Sequence, residues 1–176
     1  MAFEQTMPGR LTRWIAAEPD WDAVYAEQLP RVYNFFRYRF GNIPEVEDLT
    51  GRTFEKAWLA RHRYRRDLAA FSTWLLSIAR NVAADHLRGR RINVPLEQAA
   101  SIAAHAGTPE DAAVQGADAE RLAALLATLP ARERELLALK YGAGMTNRAI
   151  AATTGLSETN VGTILHRAVQ TLRARW

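Results

Sequence analysis

The feature that most constrains the fold is an acidic stretch of small residues between two basic blocks. Residues 93–119 contain 4 Asp or Glu and no Lys or Arg, and they are rich in Ala and Gly with two prolines. Residues 1–92 hold 15 Lys or Arg against 11 Asp or Glu, and residues 120–176 hold 8 against 4. Such a composition between basic blocks is typical of a flexible linker between two domains, with room for a fragment of helix. The predicted divisions are an N-terminal extension (1–19), a first domain (20–92), an acidic linker (93–119) and a second domain (120–176).

Helical periodicity runs through the first basic block. Asp20 can N-cap a helix whose apolar residues follow three- and four-residue steps as far as the stop signal Gly41. Pro30 predicts a kink or a break in this helix. A second helix is predicted to begin near Pro44, because a proline suits the first turn, and to run through EVEDLTGRTFEKAWLARH (45–62).

The stretch FSTWLLSIARNVAADHLRGRR (71–91) predicts a third helix with two different faces. One arc of about 100° is apolar, the width of a core-facing stripe. It comprises Phe71, Trp74, Leu75, Ile78 and Val82, so Trp74 is assigned to the core. The other arc is small, polar and basic without an acid, and comprises Thr73, Ser77, Arg80, Asn81, Ala84, Arg88 and Arg91. This arc fits either a solvated surface with a basic last turn, or contact with phosphates and base edges.

The second basic block begins with two packing helices. ERLAALLATL (120–129) places four leucines on one face, and Pro130 restarts the chain into ARERELLALKY (131–141), where Leu136, Leu137 and Tyr141 are expected to pack. With no strand signal, the fold class is predicted to be all-α, with two small helical domains.

The last 30 or so residues have the spacing of a helix-turn-helix. A short helix is predicted from Asn147, followed by the turn TTGLS and a longer helix from Glu158. Gly155 suits a left-handed C-cap and Ser157 an N-cap. The longer helix has an apolar side, and its polar side resembles a surface that reads the major groove, although a plain helical hairpin with a polar outer face remains open. Gly162 inside this helix permits close backbone approach or is a tolerated defect.

Composition excludes several other classes of protein. The chain of 176 residues has no Cys, which excludes disulfides, Cys-ligated zinc, Fe–S clusters and thiol redox sensing. No stretch reaches the roughly 20 apolar residues of a membrane span and no secretory signal is recognisable, so a cytoplasmic protein without membrane insertion is expected. The 4 His are scattered, and neither a phosphate loop nor a nucleophile motif occurs. We therefore expect no enzyme, no metal, no cofactor and no small-molecule substrate.

Three motifs, in order, resemble the extracytoplasmic-function (ECF, group IV) RNA polymerase sigma factors of the sigma-70 family. They are EDLTGRTFEKAW (47–58), FSTWLLSIARNVAADHLRGRR (71–91) and LPARERELLALKYGAGMTNRAIAATTGLSETNVGTILHRA (129–168). The resemblance implies a sigma region 2 helical bundle and a sigma region 4 helix-turn-helix. It also implies two kinds of partner, promoter DNA and core RNA polymerase through its β′ clamp coiled coil and β flap, with an anti-sigma factor as a possible third.

The same resemblance implies three sets of contact residues. Core polymerase would contact Asp48, Leu49, Arg52, Phe54 and Trp58, although the two aromatic residues fit the core equally well. The minus-10 element and its opened strand would contact Tyr64, Arg65, Arg66, Ser77, Arg80, Asn81, Arg88 and Arg91. The minus-35 element would contact Arg148, Thr159, Asn160, Thr163, His166 and Arg167.

This chain departs from the family pattern at several of these surfaces. Gly51 and Arg52 stand where the family usually has Gln and an acid, which puts the charge pattern of the polymerase contact in doubt. Gly162 and Ile164 replace a Lys and an Arg, and Ala149 replaces a Glu. Fewer phosphate contacts predict a shallower salt dependence of DNA binding. The alternative function is a stand-alone helix-turn-helix transcriptional regulator, and a second is a protein-interaction module that has lost promoter binding.

Overall fold

A computed structural model describes residues 20–41, 43–93 and 111–176, and every regular element in these ranges is helical. The predicted all-α class is therefore confirmed. The N-terminal extension (1–19) and most of the predicted linker (94–110) lie outside the described residues. The helices are α1 (Trp21–Phe40), α2 (Glu45–Leu59), α3 (Phe71–Asn93), α4 (Asp111–Ala127), α5 (Ala131–Leu137), α6 (Asn147–Thr154) and α7 (Glu158–Arg175).

Helix α1 begins and ends where its capping residues predict. The Asp20 carboxylate accepts hydrogen bonds from the backbone N–H groups of Asp22 and Ala23, and Gly41 ends the helix with a positive φ of 81°. The predicted break at Pro30 does not occur, because α1 continues through it as one helix. Proline removes one backbone donor, and the burial of Val32, Phe35 and Phe36 in the next turns keeps the chain helical.

Helix α2 is shorter than predicted, and more of the surface of α3 is buried than its predicted apolar stripe. A 3₁₀ turn at Arg61–Arg63 replaces the expected last turn of α2. On α3 the predicted stripe is present, with Leu75 and Val82 fully buried, but Leu76 and Ala83 outside the stripe are fully buried too. Two sides of α3 are covered because the C-terminal half of the chain packs against it through α6.

Helix α4 begins at Asp111, inside the stretch predicted as linker. Pro130 precedes α5 as expected, and α5 continues into a π-helical turn at Ala138–Gly142, where the Ala143 N–H donates to the Ala138 carbonyl over 2.9 Å. Leu136 and Leu137 are buried as predicted. Tyr141 is 55% exposed, so its assignment to a packing surface is wrong. The π turn rotates its side chain away from the leucine face.

The predicted helix-turn-helix is present as α6, the turn and α7. Gly155 has the left-handed φ of 74° and Ser157 accepts from the Asn160 N–H, so both predicted caps are confirmed. Thr146 also caps α6 by accepting from the Ala149 N–H. Gly155 and Ser157 thus end α6 and begin α7 on the two sides of the turn.

The N-terminal unit (20–93) and the C-terminal unit (111–176) pack against one another. Helix α1 lies along α5 and the π turn, and α3 lies against α6. The buried apolar residues of both units form one continuous core. Burial of apolar surface between the units favours this arrangement.

Candidate nucleic-acid interface

Helix α7 presents the polar face predicted for the minus-35 element. Its apolar side is buried at Val161, Leu165 and Ala168, which fixes the rotation of the helix. All five predicted residues on its other side are exposed: Thr159, Asn160, Thr163, His166 and Arg167. One of the two threonine hydroxyls, that of Thr163, donates to the carbonyl of Thr159 over 3.0 Å. The face is therefore made of short polar side chains with a single arginine.

Two further residues define the edge of this face. The Arg148 side chain on α6 is 88% exposed and its Nε lies 3.7 Å from Glu158 Oε2, a loose pair that leaves the guanidinium able to reach a phosphate. A Cβ at Gly162 would lie 3.6 Å from Asn147 Nδ2, an ordinary contact. Gly162 thus points toward α6, which favours the tolerated defect over a close approach to DNA.

The loop before α3 is organised around Tyr64. Its hydroxyl donates to the carbonyl of Ala69 over 3.2 Å, and its ring lies 5.2 Å from the Phe71 ring and 5.3 Å from the Trp74 ring. Trp74 packs against the core and is only partly buried, so one of its edges borders this aromatic corner. The corner holds Tyr64 rigidly at the base of the loop.

Two arginines follow Tyr64 on the surface. Arg65 forms a bidentate pair with Asp67, with Nε 2.9 Å from Oδ1 and Nη2 2.7 Å from Oδ2, and this pair raises the pKa of the guanidinium and lowers that of the carboxyl. Arg66 is exposed. The loop therefore offers positive charge beside a set of aromatic rings, the combination that single-stranded nucleic acid binds.

The predicted strand-contacting residues on α3 occupy different environments. Asn81 and Arg88 are exposed, and Arg88 pairs with Asp85. Lys56 Nζ also lies 3.0 Å from Asp85, and the hydrogen bond from Lys56 is the main cause that lowers the pKa of that carboxyl. The Ser77 hydroxyl donates to the Trp74 carbonyl over 2.6 Å. Arg91 lies on α3, and its side chain is outside the described part.

The positions of residues around α3 predicted that Arg80 faces solvent, but its side chain is only 25% exposed. Its Nε lies 3.0 Å from Glu135 Oε1, and its Nη1 donates to the carbonyl of Thr153 on α6. Glu135 Oε1 also lies 2.9 Å from Arg39 Nη1. Burial lowers the pKa of Arg39, and the Glu135 carboxylate opposes that effect. In this arrangement Arg80 is engaged by the C-terminal unit, a contact that a wheel of α3 alone does not contain.

The five residues predicted to contact polymerase divide into core and surface. Leu49 is fully buried and Phe54 is 8% exposed, with its ring 4.7 Å from that of Tyr25. A direct contact through Leu49 or Phe54 is therefore incompatible with this structure, because the helices around them cover their side chains. The exposed members are Asp48, Arg52 and Trp58.

Trp58 is an exposed aromatic residue near the end of α2. It is 45% exposed, its ring lies 5.1 Å from that of Trp21, and the guanidinium of Arg61 lies 4.1 Å from its ring centre. Leu59 and Tyr25 are exposed as well, and sequence reasoning did not select either of them. In the sequence, its position directly after Trp58, at the end of α2, could have indicated that Leu59 is exposed.

Two structural features of the described ranges bear on other functions. No group of three or more His, Asp or Glu within them is placed to hold a metal ion. Among the helices described, none is long and apolar enough to cross a membrane.

Comparison with known proteins connects both halves of the chain to one family. Residues 24–92 match the family model for Sigma-70 region 2, and residues 119–172 match that for Sigma-70, region 4. The chain is 28% identical over 151 residues to the ECF RNA polymerase sigma factor BldN of Streptomyces coelicolor. The matched part is 85% of this chain and 57% of BldN. The chain is also 28% identical over 153 residues to the ECF RNA polymerase sigma factor SigM of Bacillus subtilis. The matched part is 87% of this chain and 93% of SigM. The chain thus spans little more than half of BldN and almost all of SigM.

A solved structure supports the same fold. The sigma factor RpoE from Bartonella quintana, crystallised in complex with the anti-sigma factor NepR, superposes with a TM-score of 0.68 at 23% identity, covering 88% of this chain and 95% of RpoE. The two matched regions occur in the family's order on one chain. This chain belongs to the sigma-70 family, in its extracytoplasmic-function group.

Proposed function

We propose that this chain is a sigma factor that binds core RNA polymerase, recognises minus-35 and minus-10 promoter elements, and promotes DNA opening for transcription initiation. The observation that carries the proposal is the presence of both sigma regions on one chain, each with an exposed polar or basic surface. The chain would act in the cytoplasm with its polymerase, and it would not itself be an enzyme.

The outer face of α7 supports recognition of the minus-35 element as duplex DNA. Asn160 can form a bidentate pair with adenine, Arg167 can pair with guanine or a phosphate, and the small residues Thr159 and Thr163 allow the helix to enter the major groove closely. Arg148 would bind a phosphate and fix the register of the helix.

The loop at 64–66 and the outer face of α3 support capture of the minus-10 element as a single strand. Unstacking a base costs a few kcal/mol, which a pocket and phosphate contacts can offset. Tyr64 and the edge of Trp74 supply aromatic surface, and Arg65 and Arg66 supply charge. Asn81 would hydrogen-bond the exposed strand. Opening would then be driven by binding alone, without hydrolysis.

The exposed side chains of Trp58 and Leu59 at the end of α2 support a contact with the polymerase β′ clamp coiled coil. Trp58 has the character of an interface anchor, because aromatic residues in a partly covered setting carry much of the binding energy at interfaces. Asp48 and Arg52 lie earlier on α2, with Arg52 Nη1 3.9 Å from Asp48 Oδ2, and would add polar contacts. The C-terminal unit would contact the β flap.

An anti-sigma factor is proposed as a further partner. RpoE, whose fold this chain shares, was crystallised with the anti-sigma factor NepR. Such a partner would compete with polymerase for the surfaces described above, and pull-down of the chain with an anti-sigma factor encoded beside it would test the idea.

Reconstitution with purified core RNA polymerase tests the proposed function. We expect the chain plus core to start transcripts at defined positions on genomic fragments, and the chain without core to bind the same duplexes weakly. Specific binding of an operator at nanomolar concentration without core, together with no transcript in its presence, would favour the stand-alone regulator instead. Binding to core without any promoter-specific transcript would favour the interaction module.

A further inference from the structure

Leu68 is an exposed apolar residue in the loop that precedes α3. Its side chain is 73% exposed, and it lies outside the hydrophobic core. Single exposed leucines are common on protein surfaces, so exposure alone indicates no function. The rigidity and the charge of the surrounding loop distinguish this leucine from an ordinary surface residue.

Hydrogen bonds fix the loop on both sides of Leu68. Its backbone N–H donates to the carbonyl of Arg65 over 3.1 Å, and the N–H of Ala69 donates to the same carbonyl over 3.3 Å. The Arg65 guanidinium is paired with Asp67, and the Tyr64 hydroxyl donates to the Ala69 carbonyl. Leu68 is therefore held in a closed turn with its side chain in solvent. An apolar group presented in this way loses little conformational entropy when it binds a partner.

The loop that carries Leu68 is strongly positive. Residues 61–70 contain 4 Arg and 1 Asp. Of these arginines, Arg63, Arg65 and Arg66 are exposed. Arginines at this density attract the phosphates of a nucleic acid whatever its base sequence. The charge around Leu68 therefore favours a nucleic acid over an apolar protein groove as its partner.

We propose that Leu68 is a wedge that enters the base stack at the minus-10 element once a base has left it, and that prevents the gap from closing. Proteins that deform duplex DNA insert leucine and other apolar side chains between base steps in this way. Arg66 would hold a flanking phosphate while Leu68 fills the gap. The proposal rests on the proposed function, because it requires a base to leave the stack at this element. It adds a residue that acts on the opening step and does not read the base sequence.

Two forms of one promoter test this assignment. The minus-10 element is fully paired in the first form and mismatched in the second, where little pairing energy opposes the departure of a base. The yield of short transcripts with core polymerase reports the open complexes on both. We expect Leu68→Ala to lower the ratio of open to closed complexes on the paired promoter by about tenfold, because the apolar contact that fills the gap is lost. On the mismatched promoter we expect less than about a twofold change.

Two further variants separate a wedge from other roles of an exposed leucine. Leu68→Met keeps the apolar volume, so it should open the paired promoter as the native chain does. Leu59→Ala is the matched contrast, because Leu59 is 70% exposed but lies at the end of α2. As a proposed polymerase contact, it should lower the transcript yield on both promoters alike. Leu68→Ala should keep the native affinity for core polymerase in fluorescence anisotropy. Both leucines are exposed, so all three variants should unfold at the native temperature.

The outcomes distinguish a failure of the wedge from a failure of the proposed function. Native opening of the paired promoter by Leu68→Ala would overturn the wedge. An equal loss on the paired and mismatched promoters would overturn it too, and would assign Leu68 to strand binding or to the polymerase contact. The same holds if Leu68→Met loses as much as Leu68→Ala. Failure of the native chain with core polymerase to open either promoter would instead contradict the proposed function.

Discussion

Truncation of the two aromatic residues on α2 should separate fold stability from polymerase binding. Sequence alone left Phe54 and Trp58 as core residues or interface anchors, and the structure gives them different surroundings. Phe54 is 8% exposed and packs against Tyr25, whereas Trp58 is 45% exposed and is covered on one side by Trp21. We expect Phe54→Ala to act on stability and Trp58→Ala to act on binding.

The expected magnitudes follow from this burial. Truncation of a fully buried Phe or Trp to Ala costs about 3 to 5 kcal/mol of unfolding free energy. Phe54→Ala should therefore lose about that amount. Trp58 keeps roughly half of its surface in contact with the fold, so Trp58→Ala should lose about 2 kcal/mol. An interface anchor carries at least about 2 kcal/mol of binding free energy, which predicts about 30-fold weaker affinity of Trp58→Ala for core polymerase.

Denaturant unfolding and fluorescence anisotropy with labelled protein measure the two quantities. Binding is compared at a temperature where each variant is fully folded, and Tyr141→Ala is the control for an exposed aromatic residue outside α2. The reasoning is refuted if Trp58→Ala loses as much stability as Phe54→Ala and binds core polymerase with native affinity.

Four further predictions concern DNA binding and stability. Asn81→Ala should slow promoter opening by about tenfold while its affinity for core polymerase in a pull-down changes less than about twofold, because Asn81 is exposed on the side of α3 where we propose that the opened strand binds. Equal loss of polymerase affinity would contradict this. Arg167→Ala should make the negative slope of log affinity against log salt shallower by about 0.9 for duplex DNA bound with core polymerase, because its guanidinium would pair with one phosphate. An unchanged slope would exclude that contact. Gly162→Ala should raise the unfolding free energy by about 1 kcal/mol, because a Cβ there meets only Asn147 Nδ2 at 3.6 Å, and a loss of stability in calorimetry would show a clash instead. Burial lowers the pKa of His86, so the fold favours its neutral form and loses stability as the pH falls below about 6.5, the value for an unfolded chain. His86→Phe should flatten this part of the pH profile of stability, measured by thermal unfolding. An unchanged profile would assign the loss of stability to other groups.

Local signals in the sequence predicted most of the helices. Asp20, Gly155 and Ser157 act on backbone groups within their own turn, so their caps follow from residue type and position. Of the kink or break predicted at Pro30, the break is wrong, because the burial of the residues after it depends on helices distant in sequence. Composition predicted a linker that could hold a fragment of helix, but it did not indicate that α4 begins at Asp111.

The exposure of a site residue could be predicted where the apolar side of its own helix determines it. It could not be predicted where the N-terminal and C-terminal units contact one another. The exposure of Asn160 and Arg167 follows from the apolar side of α7. The pairing of Arg80 with Glu135 joins residues 55 positions apart in sequence, and no pattern within α3 contains it. Leu49 and Phe54 were expected at a contact surface because of the family resemblance, which carries no information on how far the neighbouring helices bury them in this chain.

Base unstacking at the minus-10 element tests the central claim most directly. A promoter located by start-site mapping can carry 2-aminopurine at a minus-10 position, where its fluorescence rises when the base leaves the stack. We predict a rise when both the chain and core polymerase are present without nucleotide, no rise with either alone, and a much slower rise with Asn81→Ala. A stable, specific complex of the chain, core and promoter that leaves the fluorescence unchanged would contradict the claim that this chain opens promoter DNA by binding.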